Sequence, residues 1–241
     1  MRPPRDWGLY LVTDRGLARG RSIASVVEAA VRGGVAAVQL REKSCCTRDF
    51  VQLGRELKKL LAPLGVPLIV NDRVDVALAI GADGVHLGQQ DMDFESARRL
   101  MGPGALMGLS IETIEQARAA APLDADYLGV GPVFATATKN DAAPPLGLAG
   151  MAQVRAISRH PIVAIGGIGV ENARQAIQFG ADGAAVVSAI CAADDPERAA
   201  RELRQSIDAA LRARREGGTS APRRRAGGIH SEAKEGGSNR V

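Results

Sequence analysis

The sequence predicts an α/β chain closed into a (β/α)8 TIM barrel, with one domain over residues 1–215 and a tail over 216–241. Three observations carry this expectation. Eight short apolar runs suited to buried parallel strands alternate with eight helical stretches, the count a (β/α)8 barrel requires. The tetrapeptide Gly-Ala-Asp-Gly occurs at Gly81–Gly84 and again at Gly180–Gly183, each time before an even-numbered strand and half a barrel apart. The 241 residues, 46% of them apolar, suffice for one large core. An open doubly wound sheet is the competing architecture, and the even spacing of the units favours closure.

Taken in order, Gly8–Thr13 is a first buried strand. An amphipathic helix over Ser22–Arg32 follows, with Ser22 as N-cap and Gly33-Gly34 as its end. Val35–Leu40 is a second strand, running into Arg41-Glu42-Lys43, and Thr47 is expected to cap a helix reaching Leu61. Pro67–Val70 is a third strand, stopping at Asn71-Asp72. A short helix with apolar Val74, Ala77, Leu78 and Ala79 ends at Gly81, a residue suited to a C-terminal cap. Gly84–Leu87 is a fourth strand, stopping at Gly88-Gln89-Gln90-Asp91, before a helix over Phe94–Met101. Ala105–Leu109 is a fifth strand ending at Ser110, Glu112–Ala121 is helical, and Asp126–Gly131 is a sixth strand. The connection Pro132–Leu148 is long enough to favour a functional loop. A helix over Met151–Arg159, a strand over Pro161–Ile165 and a helix over Val170–Phe179 follow. The eighth strand is Gly183–Val187, and Asp195–Arg215 is the last helix, with Pro196 in its first turn. Beyond Arg215 almost no large apolar residue occurs, so the tail is expected to be disordered.

Composition excludes several classes. Aromatic residues are 3%, too few for base-stacking platforms. The net charge of +4 divides evenly between body and tail, so a pI near 9.2 points only weakly to nucleic acid. Neither a nucleic-acid nor a membrane partner is expected, and a homo-oligomer stays compatible with the sequence. Cys45, Cys46 and Cys191 form no disulfide framework and no Cys/His pair has zinc spacing. No run resembles a signal peptide or approaches a membrane span. A reducing cytoplasm is the expected compartment.

Function is sought at the C-terminal strand ends, where barrels of this kind place their sites. Strand two offers Gln39, Arg41 and Lys43, which alternation puts on one side while the chain stays extended. Asp72 and Asp91 end two consecutive strands and can converge on a Mg²⁺ ion that also holds substrate phosphate, although each is equally an ordinary helix cap. Gly166-Gly167, with the positive end of a helix starting near Val170, suits a monophosphate. The cations Arg41, Lys43 and Lys139 combined with the two carboxylates suit a diphosphate chelated to Mg²⁺. His86, inside a strand beside apolar residues, reads as a hydrogen-bonded core histidine; His160 and His230 lie off the rim. No nucleophilic triad and no Schiff-base lysine is readable, so the chemistry is electrostatic handling of a phosphate leaving group.

The runs Gln39-Leu40-Arg41-Glu42-Lys43, Val70-Asn71-Asp72, His86-Leu87-Gly88-Gln89-Gln90-Asp91, Gly129-Val130-Gly131-Pro132-Val133-Phe134, Thr136-Ala137-Thr138-Lys139 and Ile165-Gly166-Gly167-Ile168 resemble the thiamine-phosphate synthase family. The resemblance spans roughly Gly8 to Ala210 and leaves out the tail. It implies condensation of 4-amino-2-methyl-5-(diphosphooxymethyl)pyrimidine with 4-methyl-5-(2-phosphooxyethyl)thiazole, or its carboxylated form, giving thiamine monophosphate and pyrophosphate. It implies that Gln39, Leu40, Arg41, Glu42, Lys43, Asn71, Ser110 and Lys139 hold the pyrimidine diphosphate, with Lys139, Arg41, Lys43 and Ser110 catalytic. It further implies that Asp72 and Asp91 bind Mg²⁺, and that Thr136, Ala137, Thr138, Gly167, Val187 and Ser188 hold the thiazole phosphate. A thiazole tautomerase, or a non-catalytic sensor of thiazole phosphate, is the alternative. The full set of cations and carboxylates favours the synthase.

Overall fold

The computed structural model describes residues 6–136 and 144–218. Eight strands, β1 (Leu9–Val12), β2 (Ala37–Leu40), β3 (Leu68–Asn71), β4 (Gly84–Leu87), β5 (Leu106–Ile111), β6 (Tyr127–Val130), β7 (Ile162–Ile165) and β8 (Gly183–Val186), pair in sequence order and close. Every pairing is parallel, including β1 with β8. The helices α1 (Ile23–Arg32), α2 (Thr47–Leu61), α3 (Val74–Ile80), α4 (Phe94–Met101), α5 (Ile114–Ala120), α6 (Gly147–Ile157) and α7 (Ala173–Gln178) alternate with the strands. After β8 come a short α8 (Ser188–Cys191) and the long α9 (Pro196–Gly218). The predicted closed barrel is thus the observed fold.

Strand alternation divides the core in two. Outward residues such as Leu11, Val38, Val70, Val85, Leu109 and Ile162 pack under the helices. Inward residues Tyr10, Val12, Ala37, Ile69, Leu106, Tyr127, Val163 and Ala185 fill the axis together with Trp7. The chain's single tryptophan and both of its tyrosines lie there, with the Trp7 and Tyr127 rings 4.4 Å apart. Space for them comes from small neighbours: a Cβ on Gly108 would stand 2.2 Å from Tyr127 Cζ and 2.4 Å from His86 Nδ1.

The repeated Gly-Ala-Asp-Gly acquires a physical meaning at the opposite end of the barrel. Asp83, just before β4, receives the Leu68 N–H on its carboxylate at 2.8 Å and returns its own N–H to Leu68 O at 2.9 Å. Asp182, just before β8, does the same with Ile162, at 2.9 and 2.7 Å. A third copy, without the flanking glycines, precedes β6: Asp126 engages Met107 at 2.8 Å in both directions. Each aspartate therefore ties an even strand to the start of the odd strand before it. A helix supplies the counter-charge: Lys58 for Asp83, Arg98 for Asp126, and Arg155 with Arg214 for Asp182.

Several expectations are corrected at element ends. Cys46, not Thr47, occupies the N-cap of α2, with no side-chain cap bond. On α3 the core face is Val74, Val76, Ala77 and Ile80, whereas Leu78 and Ala79 face outward. Ser110 lies within β5 rather than after it. The helix expected from Val170 begins at Ala173, because Asn172 folds back to accept the Gly169 N–H and donate to Gly167 O. The last helix runs three residues past Arg215, and residues 219–241 lie outside the described residues.

Replacing Asp126 by Ala leaves the Met107 N–H without its side-chain acceptor in a largely buried place and takes one carboxylate from Arg98, which keeps Gly102 O, Ala105 O and Asp124, at a cost of about 2 kcal/mol. Asn keeps an acceptor for the N–H and is expected to cost less than half as much. Urea denaturation midpoints of Asp126→Ala and Asp126→Asn check this; equal losses would remove the role assigned to the backbone bond.

Candidate active site

At the C-terminal ends of the strands a cavity of about 400 Å³ opens along the barrel axis. Its floor is the upper layer of inward residues, Val12, Gln39, Asn71, His86, Ser110, Ile165 and Val187 among them. The strand-two motif contributes alternate members: Gln39, Arg41 and Lys43 line the cavity, as extended backbone requires. Leu40 and Glu42 do not. Leu40 packs in the outer core, and the Glu42 side chain, only 3% exposed, is turned to Arg15 at 2.9 Å.

The two carboxylates do meet. Neither caps a helix: α3 has Arg73 at its N-cap with no side-chain bond, and α4 is capped by Asp93. Asp72 sits at φ 63°, a left-handed conformation uncommon outside glycine, and its carboxylate receives Lys43 Nζ at 2.6 Å. Asp91 accepts the Gly88 N–H at 2.6 Å. Burial pushes the Asp91 carboxyl above its ordinary range, and the neighbouring Asp72 carboxylate pushes it further. Across the cavity mouth Arg41 is held by Asp14 at 3.2 Å, and Arg41 N–H donates to Thr13 Oγ1 at 3.0 Å. Asp14 is a member of the site that the motifs do not single out.

His86 is a fully bonded core histidine, as expected. Nδ1 lies 2.9 Å from Tyr127 Oη and Nε2 lies 2.9 Å from Ser110 Oγ. Burial pulls its pKa down to about 4, so the ring is neutral near pH 7. The tyrosines Tyr10 and Tyr127, both in the cavity wall, escaped the motif reading. Their rarity in the chain is the one signal that marks them.

The far side of the cavity is the glycine side. Gly166, Gly167, Val187, Ser188 and Thr136 line it. Gly167 has φ 63°, and a Cβ there would stand 2.4 Å from Ala135 O, so glycine keeps the 135–136 segment close against the turn after β7. Ala137, Thr138 and Lys139, assigned from the same motif, lie outside the described residues. Among the described residues no group of three or more His, Cys, Asp or Glu side chains gathers as a metal cage.

A parallel barrel whose mouth sets paired carboxylates and cations opposite a glycine-rich turn belongs to the class of phosphate-handling barrel enzymes. The comparisons narrow this: the sequence model of the thiamine monophosphate synthase family matches residues 9–190, and the chain belongs to that family. It is 60% identical over 201 residues to the thiamine-phosphate synthase of Albidiferax ferrireducens, covering 83% of this chain and 92% of that one. It is 56% identical over 202 residues to the thiamine-phosphate synthase of Chloroflexus aurantiacus, covering 84% and 93%. Among solved structures it is similar to the thiamine phosphate pyrophosphorylase of Pyrococcus furiosus, with TM-score 0.79, 40% identity and coverage of 86% and 98%.

The low pKa of His86 has a stability consequence of definite sign. Between about 4 and the unfolded value of 6.5 the unfolded chain binds the extra proton. The contribution of the neutral ring is therefore complete above pH 6.5 and is lost as pH falls toward 4, by about 3 kcal/mol over that window. Chemical denaturation across pH 4–7, with His86→Gln as comparison, is expected to show a weaker pH slope in the variant. An identical slope would show that His86 titrates normally.

Proposed function

We propose that this chain joins a hydroxymethylpyrimidine diphosphate to a thiazole phosphate, releasing pyrophosphate and forming thiamine monophosphate. The observation that carries the reading is the division of one cavity into a side of cations and carboxylates and a side of glycines and hydroxyls, in a chain of this family. It is a transferase of thiamine biosynthesis acting on small molecules. The three cysteines are free, which suits a reducing cytoplasm as its place of work.

On the β2–β4 side, Arg41, Lys43 and Asn71 face the cavity and would hold the diphosphate, with Gln39 and Ser110 toward the pyrimidine. Asp72 and Asp91 would hold Mg²⁺. They fit it: burial and the adjacent Asp72 carboxylate raise the proton affinity of Asp91, charge that a cation would offset, and hard oxygen donors together with substrate phosphate are the usual Mg²⁺ set. Bound there, Mg²⁺ would neutralise charge growing on the diphosphate. Arg41 and Lys43 add fixed positive charge, and Lys139, placed by the family motif, would stand at the leaving group. The C–O bond of the pyrimidine methylene breaks with its electron pair going to pyrophosphate, and the thiazole nitrogen supplies the pair for the new C–N bond. No side chain acts as a nucleophile in this scheme. On the opposite side Thr136, Gly167, Val187 and Ser188, with Ala137 and Thr138 from the motif, would hold the thiazole phosphate.

Pyrophosphate release measured with both substrates and Mg²⁺ tests the reading directly. Thiazole phosphate binding without release would mark a sensor instead. Asp91→Ala is expected to stay folded while losing the Mg²⁺ dependence of pyrimidine diphosphate binding by calorimetry; parental Mg²⁺ dependence in the variant would dismiss the carboxylates as metal ligands.

Gly167→Ala places a methyl against Ala135 O and displaces the Thr136 segment. The KM for the thiazole phosphate is expected to rise about tenfold, a loss near 1.4 kcal/mol, with the pyrimidine KM little changed. Equal rises for both substrates would undo the two-sided assignment.

A further inference from the structure

Five polar side chains inside the barrel form one chain of hydrogen bonds that ends at the cavity. Gln39 Nε2 donates to Tyr10 Oη at 3.1 Å, and Tyr10 Oη lies 2.8 Å from Tyr127 Oη. Tyr127 Oη lies 2.9 Å from His86 Nδ1, and His86 Nε2 lies 2.9 Å from Ser110 Oγ. Gln39, Tyr10, Tyr127 and His86 are all buried, while Ser110 is partly open to the cavity.

Counting hydrogens gives this chain a direction. Each tyrosine has one hydroxyl hydrogen, and a neutral imidazole has one N–H. Tyr10 Oη accepts from Gln39, and its own hydrogen finds Tyr127 Oη. Were Tyr127 to donate back, the Tyr10 hydrogen would be buried without an acceptor, an arrangement folded proteins avoid. Tyr10 therefore donates to Tyr127, and Tyr127 donates to Nδ1 of His86. The imidazole hydrogen is left on Nε2, where it is donated to Ser110 Oγ. With that oxygen already accepting, the Ser110 hydroxyl hydrogen is free to turn into the cavity.

We propose that Tyr10 and Tyr127 are positioning residues for the reaction: through the Nε2–H tautomer of His86 they set the Ser110 hydroxyl as a donor to an acceptor atom of the pyrimidine diphosphate. The proposal rests on the reading that Ser110 faces that substrate. It adds an element of orientation, since the Ser110 hydroxyl hydrogen is not taken up by His86 and is available to an acceptor in the cavity. Neither tyrosine touches the reacting bond. Both act through the ring between them and Ser110.

Two experiments test it. In the ligand-free protein, ¹⁵N NMR of labelled histidine is expected to show His86 protonated at Nε2 and bare at Nδ1; the Nδ1–H form overturns the direction of the chain. In kinetics, Tyr127→Phe keeps the packed ring and removes one donor, and is expected to lower kcat/KM for the pyrimidine diphosphate about tenfold. The same substitution in a Ser110→Ala background is expected to change it less than twofold, because the group it orients is gone. A full tenfold loss in both backgrounds overturns the proposal. Tyr10→Phe serves as the second variant should Tyr127→Phe fold poorly, and the tautomer measurement needs no variant. Absence of pyrophosphate release by the parent would overturn the functional reading, and with it the catalytic use of the chain, whereas an Nδ1–H ring in an active parent overturns the chain alone.

Discussion

A barrel of eight parallel strands has to fill its own axis, and this one does so with rings that carry polar atoms. Trp7, Tyr10 and Tyr127 occupy the interior, with Tyr10 and Tyr127 packed edge to face at 5.6 Å. The apolar bodies of these rings supply volume. Their hydroxyls, far from water, must be paired within the barrel or cost the fold several kcal/mol. The pairing runs upward, toward Gln39, His86 and Ser110, because the lower layers are apolar. The need to satisfy buried hydroxyls thus fixes which polar residues stand at the floor of the cavity. Packing and site are one construction, and the glycine at 108 belongs to it as the space the Tyr127 and His86 rings take up.

The other requirement is register. A one-residue slip in any strand would exchange its inward and outward residues and carry Asn71 or Ser110 out of the cavity. The aspartates before β4, β6 and β8 resist this by clamping Leu68, Met107 and Ile162, at the starts of β3, β5 and β7, through both N–H and C=O. They act at the end of the barrel away from the cavity, where a stiff geometry does not hinder ligand entry. The division agrees with the general habit of such barrels, stability at one face and function at the other.

Much of this was legible in the sequence. Eight strands were readable because a parallel strand buried on both faces is a short apolar run, and the ends of β4 and α4 fall where the flanking glycines put them. The alternation of Gln39, Arg41 and Lys43 into one cavity follows from the period of an extended chain. What was not legible depends on partners distant in sequence. Asp72 and Asp91 look like helix caps until Arg73 and Asp93 are seen in those places. Glu42 sits inside a charged motif yet belongs to Arg15, and Asp14 lies outside every motif yet holds Arg41. Tyr10 and Tyr127 are 117 residues apart, and only closure of the barrel brings their hydroxyls together. The turn before α7 deceived for a local reason: Asn172 takes the N–H that a bare helix start would offer.

The charged rim shows how the site can be stable before a ligand enters. Lys43 is matched by Asp72, Arg41 by Asp14, and Arg15 beside them by Glu42. None of these cations waits unpaired in a half-buried place, where desolvation would cost most. A bound diphosphate would therefore exchange one set of oxygen partners for another instead of ordering loose side chains, and the entropy of fixing two long cations is already spent in the folded chain. The same economy explains the strained backbone at Asp72: φ 63° is tolerable for aspartate, and it turns the carboxylate toward both Lys43 and the cavity. A residue in relaxed extended conformation would follow the strand direction and leave Asp91 without the second carboxylate beside it.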